Sequence, residues 1–443
     1  MSRRSAMPLL IGTLVLRINS GAVTVVLGLF LAQLATHAGR AITSVQVGLL
    51  PAAFFISELV LAPLMGALGD RWGRRYFLIF GPIPGLIEVS LFPFTPTVNP
   101  LPYLLALQVL AAFSSAMIVP ATLSYLADLT VVNPVGRTRT MGLYELATTG
   151  GIAIGVAVGG FAWDFLGPFS FGLIACFYLI VAACMMLAPR VKQVIAHDNL
   201  RKLAQRYWGL VRTPSLFLFI PAWISISALA GIWLSSQLPF LLSMHRHFPN
   251  QVLIGAMSGH GGGIRLSLVL GCFVLFFALC LLFWSFYMNR VPRLRLMLIS
   301  VAGVYLACIA LAGINHRGEG NNLALLVWVP LLMLGVFAES SFAPAALAYL
   351  ADVSEKAARD RGLVMGLYSI FLGLGQSLGN GVGGIFARNF GFDGLIYLTA
   401  LLAFIALISL SWLFRRERRN EQRVASPDVK VPEHVRSPNP RGI

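Results

Sequence analysis

The chain has 443 residues, of which 57% are apolar and only 11% are charged, and its mean hydropathy is +0.80. A soluble domain carries about 25% charged residues, so this composition excludes the soluble classes and indicates a protein whose solvent is lipid. The net charge of +16 does not indicate nucleic-acid binding, because the basic residues lie between apolar segments instead of forming one patch.

Apolar runs of about 20 residues, the length that crosses a hydrocarbon core, recur along the chain. The short alternating stretches of a β-barrel are missing, so helices must satisfy the backbone hydrogen bonds. The sequence predicts an all-α integral membrane fold with twelve transmembrane helices. These helices span residues 8–35, 45–68, 76–95, 101–127, 139–163, 168–188, 216–243, 264–288, 295–315, 322–350, 362–386 and 392–414.

Most Lys and Arg residues fall on one side of this arrangement, together with both termini. This is the positive-inside pattern, and it predicts a multi-pass protein of the cell inner membrane with both termini in the cytoplasm. The helices form an N-terminal half, 1–188, and a C-terminal half, 216–414. A basic linker, 189–215, joins them, and a basic tail, 415–443, is expected to be disordered because it is rich in Arg and Pro.

The loop after the second helix reads Gly66-Ala-Leu-Gly-Asp70-Arg71-Trp-Gly73-Arg74-Arg75. It resembles the loop signature of the major facilitator superfamily, G-x-x-x-D-R-x-G-R-[RK]. The resemblance implies a twelve-helix transporter whose loop is a cytoplasmic latch, with Asp70 facing the start of helix 11 as an acid suits a helix N-terminus. The equivalent loop of the second half, 285–294, is degraded. The latch residues are Gly66, Asp70, Arg71, Gly73, Arg74 and Arg75.

Residues 120–160 recur at 344–384 with a constant offset of 224 positions. Tyr125-Leu-Ala-Asp128 matches Tyr349-Leu-Ala-Asp352, for example. Each half has an even number of helices, so the repeats are parallel and related by an axis along the membrane normal. Asp128 and Asp352 end helices 4 and 10, where the macrodipole disfavours an anion. Each acid is therefore expected to have a basic partner, or else to be a solvated loop residue copied by the duplication.

Helices 5 and 11 carry glycine at every fourth position, a spacing that lets a neighbouring helix approach closely. The helix 5 run resembles the antiporter signature G-x-x-x-G-P-x-x-G-G of drug/proton exchangers, except that Val156 replaces the proline. Generic helix packing explains these glycines equally well. The packing residues are Gly151, Gly155, Gly159 and Gly160 in helix 5, and Gly375, Gly379, Gly383 and Gly384 in helix 11.

Ionisable residues inside the predicted helices are expensive in lipid and indicate function. In the fold that the chain resembles, helices 1, 4, 7 and 10 line a central cavity and helix 2 lies beside it. Arg17, Glu58 and Glu339 therefore become candidates for the substrate and proton site, although Arg17 and Glu58 form a purely structural pair in the alternative interpretation. Glu88 and Glu145 are expected to be structural. The other cavity candidates are Asn19, Gln108, Trp223, Gln237, Gln376 and Asn380.

Many proton-coupled relatives carry an arginine on helix 4, where this chain has Gln108 and small apolar residues. Proton coupling is therefore assigned to a carboxylate, Glu58 or Glu339. The five cysteines lie inside predicted helices without C-x-x-C spacing, so neither a disulfide framework nor a metal site is expected. His245 and His247 flank Arg246 in one loop, but a metal site needs more ligands. No cofactor is predicted, and no nucleotide-binding loop is present.

The sequence predicts a secondary transporter that works by alternating access and exports an amphipathic or drug-like molecule in exchange for protons. Its partners would be a small-molecule substrate, protons and the lipid bilayer, without nucleic acid, and it would be a monomer. The main alternative is a uniporter or symporter for a small anionic metabolite bound at Arg17. A transporter-like receptor or assembly factor is a third interpretation. An enzyme is not expected, because no convergent nucleophile, base or metal ligands are found.

Overall fold

The computed structural model describes residues 7–37, 42–129, 134–188, 209, 212–244, 248–287, 290–318, 320–356 and 361–425. The side chains of Asp70, Asp128, Glu145 and Asp352 lie outside this description. The same holds for Asn289, for His245 and His247, and for nearly all of the predicted linker. The expectations that concern these residues therefore remain predictions.

The described chain is a bundle of α-helices. In the first repeat they are α1 (Met7–His37), α2 (Ser44–Trp72), α3 (Arg74–Phe80), α4 (Pro82–Leu91), α5 (Leu101–Leu129), α6 (Pro134–Leu166) and α7 (Ser170–Met186). In the second they are α8 (Pro214–Trp233), α9 (Gln237–Ser243), α10 (Gly262–Tyr287), α11 (Arg293–Asn315), α12 (Leu325–Glu339), α13 (Phe342–Lys356), α14 (Arg361–Phe390) and α15 (Phe392–Ala425).

These helices make twelve membrane spans in the described chain, as predicted. Length and hydropathy alone delimit 11 apolar stretches, because one of them, Leu146–Met186, runs for 41 residues. A single helix of that length would be about 60 Å long, twice the thickness of the hydrocarbon core. The stretch instead contains most of α6 and all of α7, separated by the 3₁₀ turn Gly167–Phe169.

The predicted helix 216–243 is two helices, a correction to the sequence prediction. The chain leaves helical geometry between α8 and α9, where the Ser235 hydroxyl oxygen accepts a hydrogen bond from the Gln237 N–H at 3.4 Å. The predicted helix 322–350 is likewise divided, at Ser340 and Ser341, whose hydroxyls donate to the carbonyl oxygens of Phe337 and Ala338. Serine side chains compete with the backbone N–H and carbonyl groups for hydrogen bonds and can interrupt a helix. A hydropathy scan does not detect this competition.

The last helix continues to Ala425, beyond the expected boundary at 414, so the first part of the predicted disordered tail is helical. Its Arg, Glu and Gln residues have good helix propensity. The extension is also attached to the bundle, because the Tyr349 hydroxyl of α13 donates to Glu417 Oε1 at 3.0 Å. Residues 426–443 lie outside the described chain.

The helix bundle has two ends, one at each membrane face. We call the face where α1 begins and α15 ends the terminal face, and the other one the opposite face. The two repeats meet closely near the opposite face, where a Cβ on Gly48 would lie 3.0 Å from Gly384 Cα. Further along the same helices, a Cβ on Gly373 would lie 3.9 Å from Leu59. Among the described residues, Gly66 and Gly150 have no such neighbour within 4 Å. The repeats are therefore in close contact near the opposite face.

Candidate functional site

Arg17 of α1, Glu58 of α2 and Ser115 of α5 form a polar cluster within the first repeat. The Ser115 hydroxyl donates a hydrogen bond to Glu58 Oε1 at 2.5 Å, and all three residues are partly buried. The Arg17 guanidinium acts electrostatically on the Glu58 carboxylate without a direct ion pair between them. The structure thus brings together the two charges that the sequence placed at similar depth, and adds a hydroxyl.

Arg17 keeps unused hydrogen-bonding capacity. Its Nε is buried and has no hydrogen-bond partner, and its Cβ lies 2.7 Å from where a Cβ on Gly151 would be. One turn before Gly151, the buried Thr148 Oγ also has no partner. Buried polar atoms are nearly always paired in folded proteins, so unpaired donors beside a cation indicate a place for an acceptor group.

Gln108 and Asn19 are both buried, at 6% and 1% exposure. Gln108 lies two turns before Ser115 on α5, so it belongs to the same side of that helix. Asn19 is two residues from Arg17, about 200° around the helix, and it lies near Tyr178 of α7. The structure therefore separates Asn19 from Arg17 and places it near the peripheral helices.

Glu339 is the last residue of α12 and is partly buried. It lies near Cys280 of α10, and its backbone carbonyl oxygen accepts a hydrogen bond from Ser300 of α11 at 3.1 Å. Among the described residues, none donates a hydrogen bond to the Glu339 carboxylate. Glu339 and Ser115 occupy equivalent positions in the two repeats, 224 residues apart.

Three amide residues lie together in the second repeat. Gln237 and Asn380 are both 0% exposed, and the Gln237 Oε1 lies 3.2 Å from the position of a Cβ on Gly383, one turn from Asn380. The Asn380 Nδ2 donates to the Gln376 carbonyl at 2.8 Å. Both amide atoms of Gln237 and the Asn380 Oδ1 remain without partners. This amide group lies on α9 and α14, whereas the Arg17 cluster lies on α1, α2 and α5.

Trp223 is 3% exposed and packs in an aromatic core instead of offering a free surface. Its ring lies 5.8 Å from Phe342 and 5.9 Å from Phe219, measured between centroids. Phe219 in turn lies 5.1 Å from Tyr349. These contacts join α8 to α13 inside the second repeat.

The glycines of α6 and α14 make equivalent contacts in the two repeats. A Cβ on Gly155 would strike the Ile18 carbonyl of α1, and a Cβ on Gly379 would strike the Ala228 carbonyl of α8. Gly151 and Gly375 face Arg17 and Ser227 in the same way. Position 17 therefore carries an arginine in one repeat where the other repeat has a serine. Of the four remaining packing glycines, Gly159, Gly160 and Gly384 also face neighbouring backbones, whereas Gly383 faces the side chains of Gln237 and Ile232.

The predicted loop 66–75 is mostly helical, a correction to the sequence prediction: Gly66 to Trp72 form the end of α2, Arg74 and Arg75 begin α3, and only Gly73 lies between the two helices. Gly73 lies at φ 105°, a conformation that favours glycine, and its N–H donates to the Gly69 carbonyl at 3.0 Å. The Arg75 side chain donates to the Met186 carbonyl of α7 at 3.2 Å, whereas Arg71 is exposed. The loop is thus fixed to the end of α7, and the latch role of Asp70 remains a prediction.

The sequence did not identify three polar groups that the structure makes prominent. Thr148 lies inside the predicted helix 139–163, where a single threonine gives no distinct signal. Asp164 lies one residue beyond the predicted end of helix 5, and it bonds α10. Asp393 accepts hydrogen bonds from Asn315 at 2.8 Å and from Gln251 at 3.2 Å, and its Oδ2 lies 2.8 Å from His316 Nε2. Within the described chain, no group of three His, Cys, Asp or Glu side chains is arranged for a metal ion.

Comparison with known proteins agrees with this architecture. The family described as Major Facilitator Superfamily matches residues 9–266 and 260–439. Multidrug resistance protein 1 of Bacillus subtilis (strain 168) is 28% identical over 149 residues, 34% of this chain and 37% of that protein. Quinolone resistance protein NorA of Staphylococcus aureus (strain MRSA252) is 25% identical over 186 residues, 41% of this chain and 47% of that protein. The chain thus aligns with less than half the length of these relatives.

Solved structures support the fold over nearly the whole chain. The nucleoside transporter NupG superposes with a TM-score of 0.71 at 14% identity, covering 93% of this chain and 98% of that one. A bacterial homologue of the lysosomal transporter Spinster gives 0.68 at 16% identity, covering 96% and 100%. The chain belongs to the Major Facilitator Superfamily, and it is a multi-pass membrane transporter, not an enzyme.

Proposed function

We propose that the protein exports an amphipathic, drug-like molecule in exchange for protons. The observation that carries this proposal is the pair of carboxylates in corresponding helix pairs, Glu58 between α2 and α5 and Glu339 between α10 and α12. Intramembrane carboxylates away from lipid are the usual proton carriers of transporters. The likeness to multidrug and quinolone resistance proteins supports the substrate class.

Glu339 suits the role of proton carrier better than Glu58. A carrier must exchange its proton with water in one access state and be shielded in the other. No described group donates a hydrogen bond to the Glu339 carboxylate, so no described hydrogen bond favours its charged form. Glu58 already accepts a hydrogen bond from Ser115 and faces Arg17, so it is better suited to holding the cluster together.

The terminal face is proposed to be cytoplasmic. Arg71, Arg74 and Arg75 lie there, as do the basic residues flanking α8, α11 and the end of α15. The opposite face has few described basic residues, among them Arg265, Arg317 and Arg388. This distribution supports the positive-inside orientation. The observed arrangement, closed at the opposite face, would then be open to the cytoplasm and ready to load a substrate for export, with one chain forming the complete transporter.

Transport into proteoliposomes tests the proposal. Vesicles containing the purified protein would be placed in a solution of a quinolone or a lipophilic cation dye, with or without a pH difference and with the membrane potential clamped. We expect accumulation against the substrate gradient only when a pH difference is supplied. Equal fluxes with and without the pH difference would contradict proton coupling.

A second function is favoured by one observation, the buried and unpartnered Arg17 Nε. In that reading the protein is a uniporter or symporter whose substrate is a small anion, and Arg17 binds its acidic group. The same vesicles distinguish the two functions. Competition by small organic anions, lost in Arg17→Gln, would favour the second, and competition by lipophilic cations would favour the first.

A further inference from the structure

Asp164, in the last turn of α6, makes a polar contact between the two repeats. Its Oδ1 accepts a hydrogen bond from the Gly263 N–H at 3.1 Å, and its Oδ2 accepts one from the Ile264 N–H at 2.7 Å. Both donors lie in the first turn of α10, where N–H groups have no partner inside the helix. The carboxylate of one repeat therefore closes the N-terminus of a helix of the other.

A second bridge lies one turn away on the same two helices. The Ser267 hydroxyl of α10 donates to the Val156 carbonyl at 2.6 Å and accepts from the Gly160 N–H at 2.9 Å. Val156 and Gly160 lie four residues apart in α6, the spacing of a helical hydrogen bond. The Ser267 hydroxyl therefore bonds both the carbonyl and the N–H of one such backbone pair. A Cβ on Gly160 would strike the Gly263 carbonyl. We call Gly160, Asp164, Gly263 and Ser267 the α6–α10 joint.

Among the described residues, no such polar bridge joins α14 to α2 at the corresponding contact. Arg388 stands 224 positions after Asp164, and it is exposed. The N-terminus of α2 is capped by its own Thr43, which accepts from the Gln46 N–H at 3.4 Å while Gln46 Oε1 accepts from the Thr43 N–H at 3.0 Å. Duplication therefore does not explain Asp164, which acts at only one of the two equivalent joints.

We propose that Asp164 is the latch of the opposite face, a positioning residue for the transport cycle. It holds the two repeats together there while the terminal face is open, and its two hydrogen bonds must break before the opposite face opens. Hydrogen bonds to a charged acceptor are the stronger class, and an anion is favoured at a helix N-terminus. The proposal is independent of the substrate and of the coupling ion, and so goes beyond the proposed function.

Distances between spin labels test this latch. The full chain, with its cysteines replaced by alanine, would carry Val98→Cys and Ser258→Cys, two exposed positions on different repeats at the opposite face. A second preparation would carry Tyr76→Cys and Phe286→Cys at the terminal face. In Asp164→Ala, which removes both hydrogen bonds, we expect the population with a long opposite-face distance to rise at least about tenfold, the factor that loss of one charge-assisted bond alone implies. The terminal-face distance should shorten.

Asp393→Asn is the matched control. Asp393 is also a buried carboxylate at the opposite face, but its partners Gln251, Asn315 and His316 all lie in the second repeat. Its loss should lower thermal stability without changing either distance distribution. Asp164→Glu, which keeps the carboxylate, should recover part of the parent distribution.

Asp164→Asn serves as the second latch variant, because it preserves the shape of the side chain and should fold where the alanine variant does not. Unchanged distances in Asp164→Asn would overturn the proposal. So would an equal opening of the opposite face in Asp393→Asn, since the effect would then be general loosening of the fold.

Discussion

The two repeats place a carboxylate at corresponding helix pairs but surround it differently. In the first repeat Glu58 stands on α2, bonded by the Ser115 hydroxyl and facing Arg17. In the second, Glu339 stands at the position equivalent to Ser115, near Cys280 and without a described donor. The acid of the first repeat therefore has two described polar partners, whereas no described group donates a hydrogen bond to the acid of the second. This difference is the basis for proposing Glu339, and not Glu58, as the proton carrier.

The largest expected effect comes from Glu339→Gln. If Glu339 carries the proton, the variant should lose accumulation driven by a pH gradient while retaining substrate exchange at equal pH, because the neutral amide cannot release a proton. Flux in proteoliposomes measures both activities. Glu88→Gln, at a carboxylate that is 2% exposed on α4, is the control and should keep gradient-driven transport. Accumulation by Glu339→Gln when only a pH difference is supplied would transfer the role to Glu58.

The equivalence of the two repeats is tested by matched glycine substitutions. Gly155→Ala and Gly379→Ala each press a methyl group against a carbonyl of the neighbouring helix, so each should destabilise the protein by about 1–3 kcal/mol or more. Gly150→Ala, in the same helix as Gly155 but without a neighbour, should not. Thermal unfolding in detergent gives the comparison. A large loss in one repeat only would show that the two helix pairs differ in packing.

A double-mutant cycle tests the first cluster. Arg17→Gln and Glu58→Gln should each reduce folded yield, because each leaves the other charge without its counter-charge. The double variant should recover part of the loss, with a coupling energy of about 1 kcal/mol. Ser115→Ala should have a smaller effect, since it removes one hydrogen bond. Additive losses would mean that Arg17 and Glu58 do not interact.

The smallest effect is expected at the latch loop, which is intact only in the first repeat. Asp70→Asn should leave insertion unchanged but shift the access equilibrium, because the neutral side chain interacts less with the start of α14. Spin-label distances at the two faces should change in opposite directions. The reciprocal variant Asn289→Asp should have little effect, because Pro292 stands where the first loop has a glycine. Identical distances in Asp70→Asn and parent would argue against a latch.

The sequence predicted the spans and the repeat because a hydrophobic length and a duplicated pattern are one-dimensional signals. It also placed Arg17 and Glu58 at one depth, because helical rise converts sequence distance into height. The side of the helix on which a residue lies, relative to neighbouring helices, is harder to predict from the sequence. Asn19 was predicted to line the cavity, as Arg17 was, yet it lies near Tyr178 on another side of α1.

Contacts between the repeats could not be predicted from the sequence, for a different reason. Asp164 looked like a loop residue because hydropathy ended helix 5 before it, and nothing local indicates that its partners are backbone groups about 100 residues later. The break between α8 and α9 was missed because the short polar run Ser235-Ser236-Gln237 is flanked by apolar residues on both sides, so that hydropathy averaged over the span stays high. Both features depend on hydrogen bonds that only the assembled bundle brings together.

The glycine pairs at the opposite face have a consequence for leakage. At Gly48 with Gly384, and at Gly160 with Gly263, peptide backbone meets peptide backbone. Glycine has no side-chain rotamers to freeze, and the peptide groups of a helix are already largely hydrogen-bonded within it. Closing these glycine contacts therefore adds no side-chain ordering beyond that of Asp164 and Ser267. A contact of this kind can form and break in every turnover while leaving no gap wide enough for a hydrated ion.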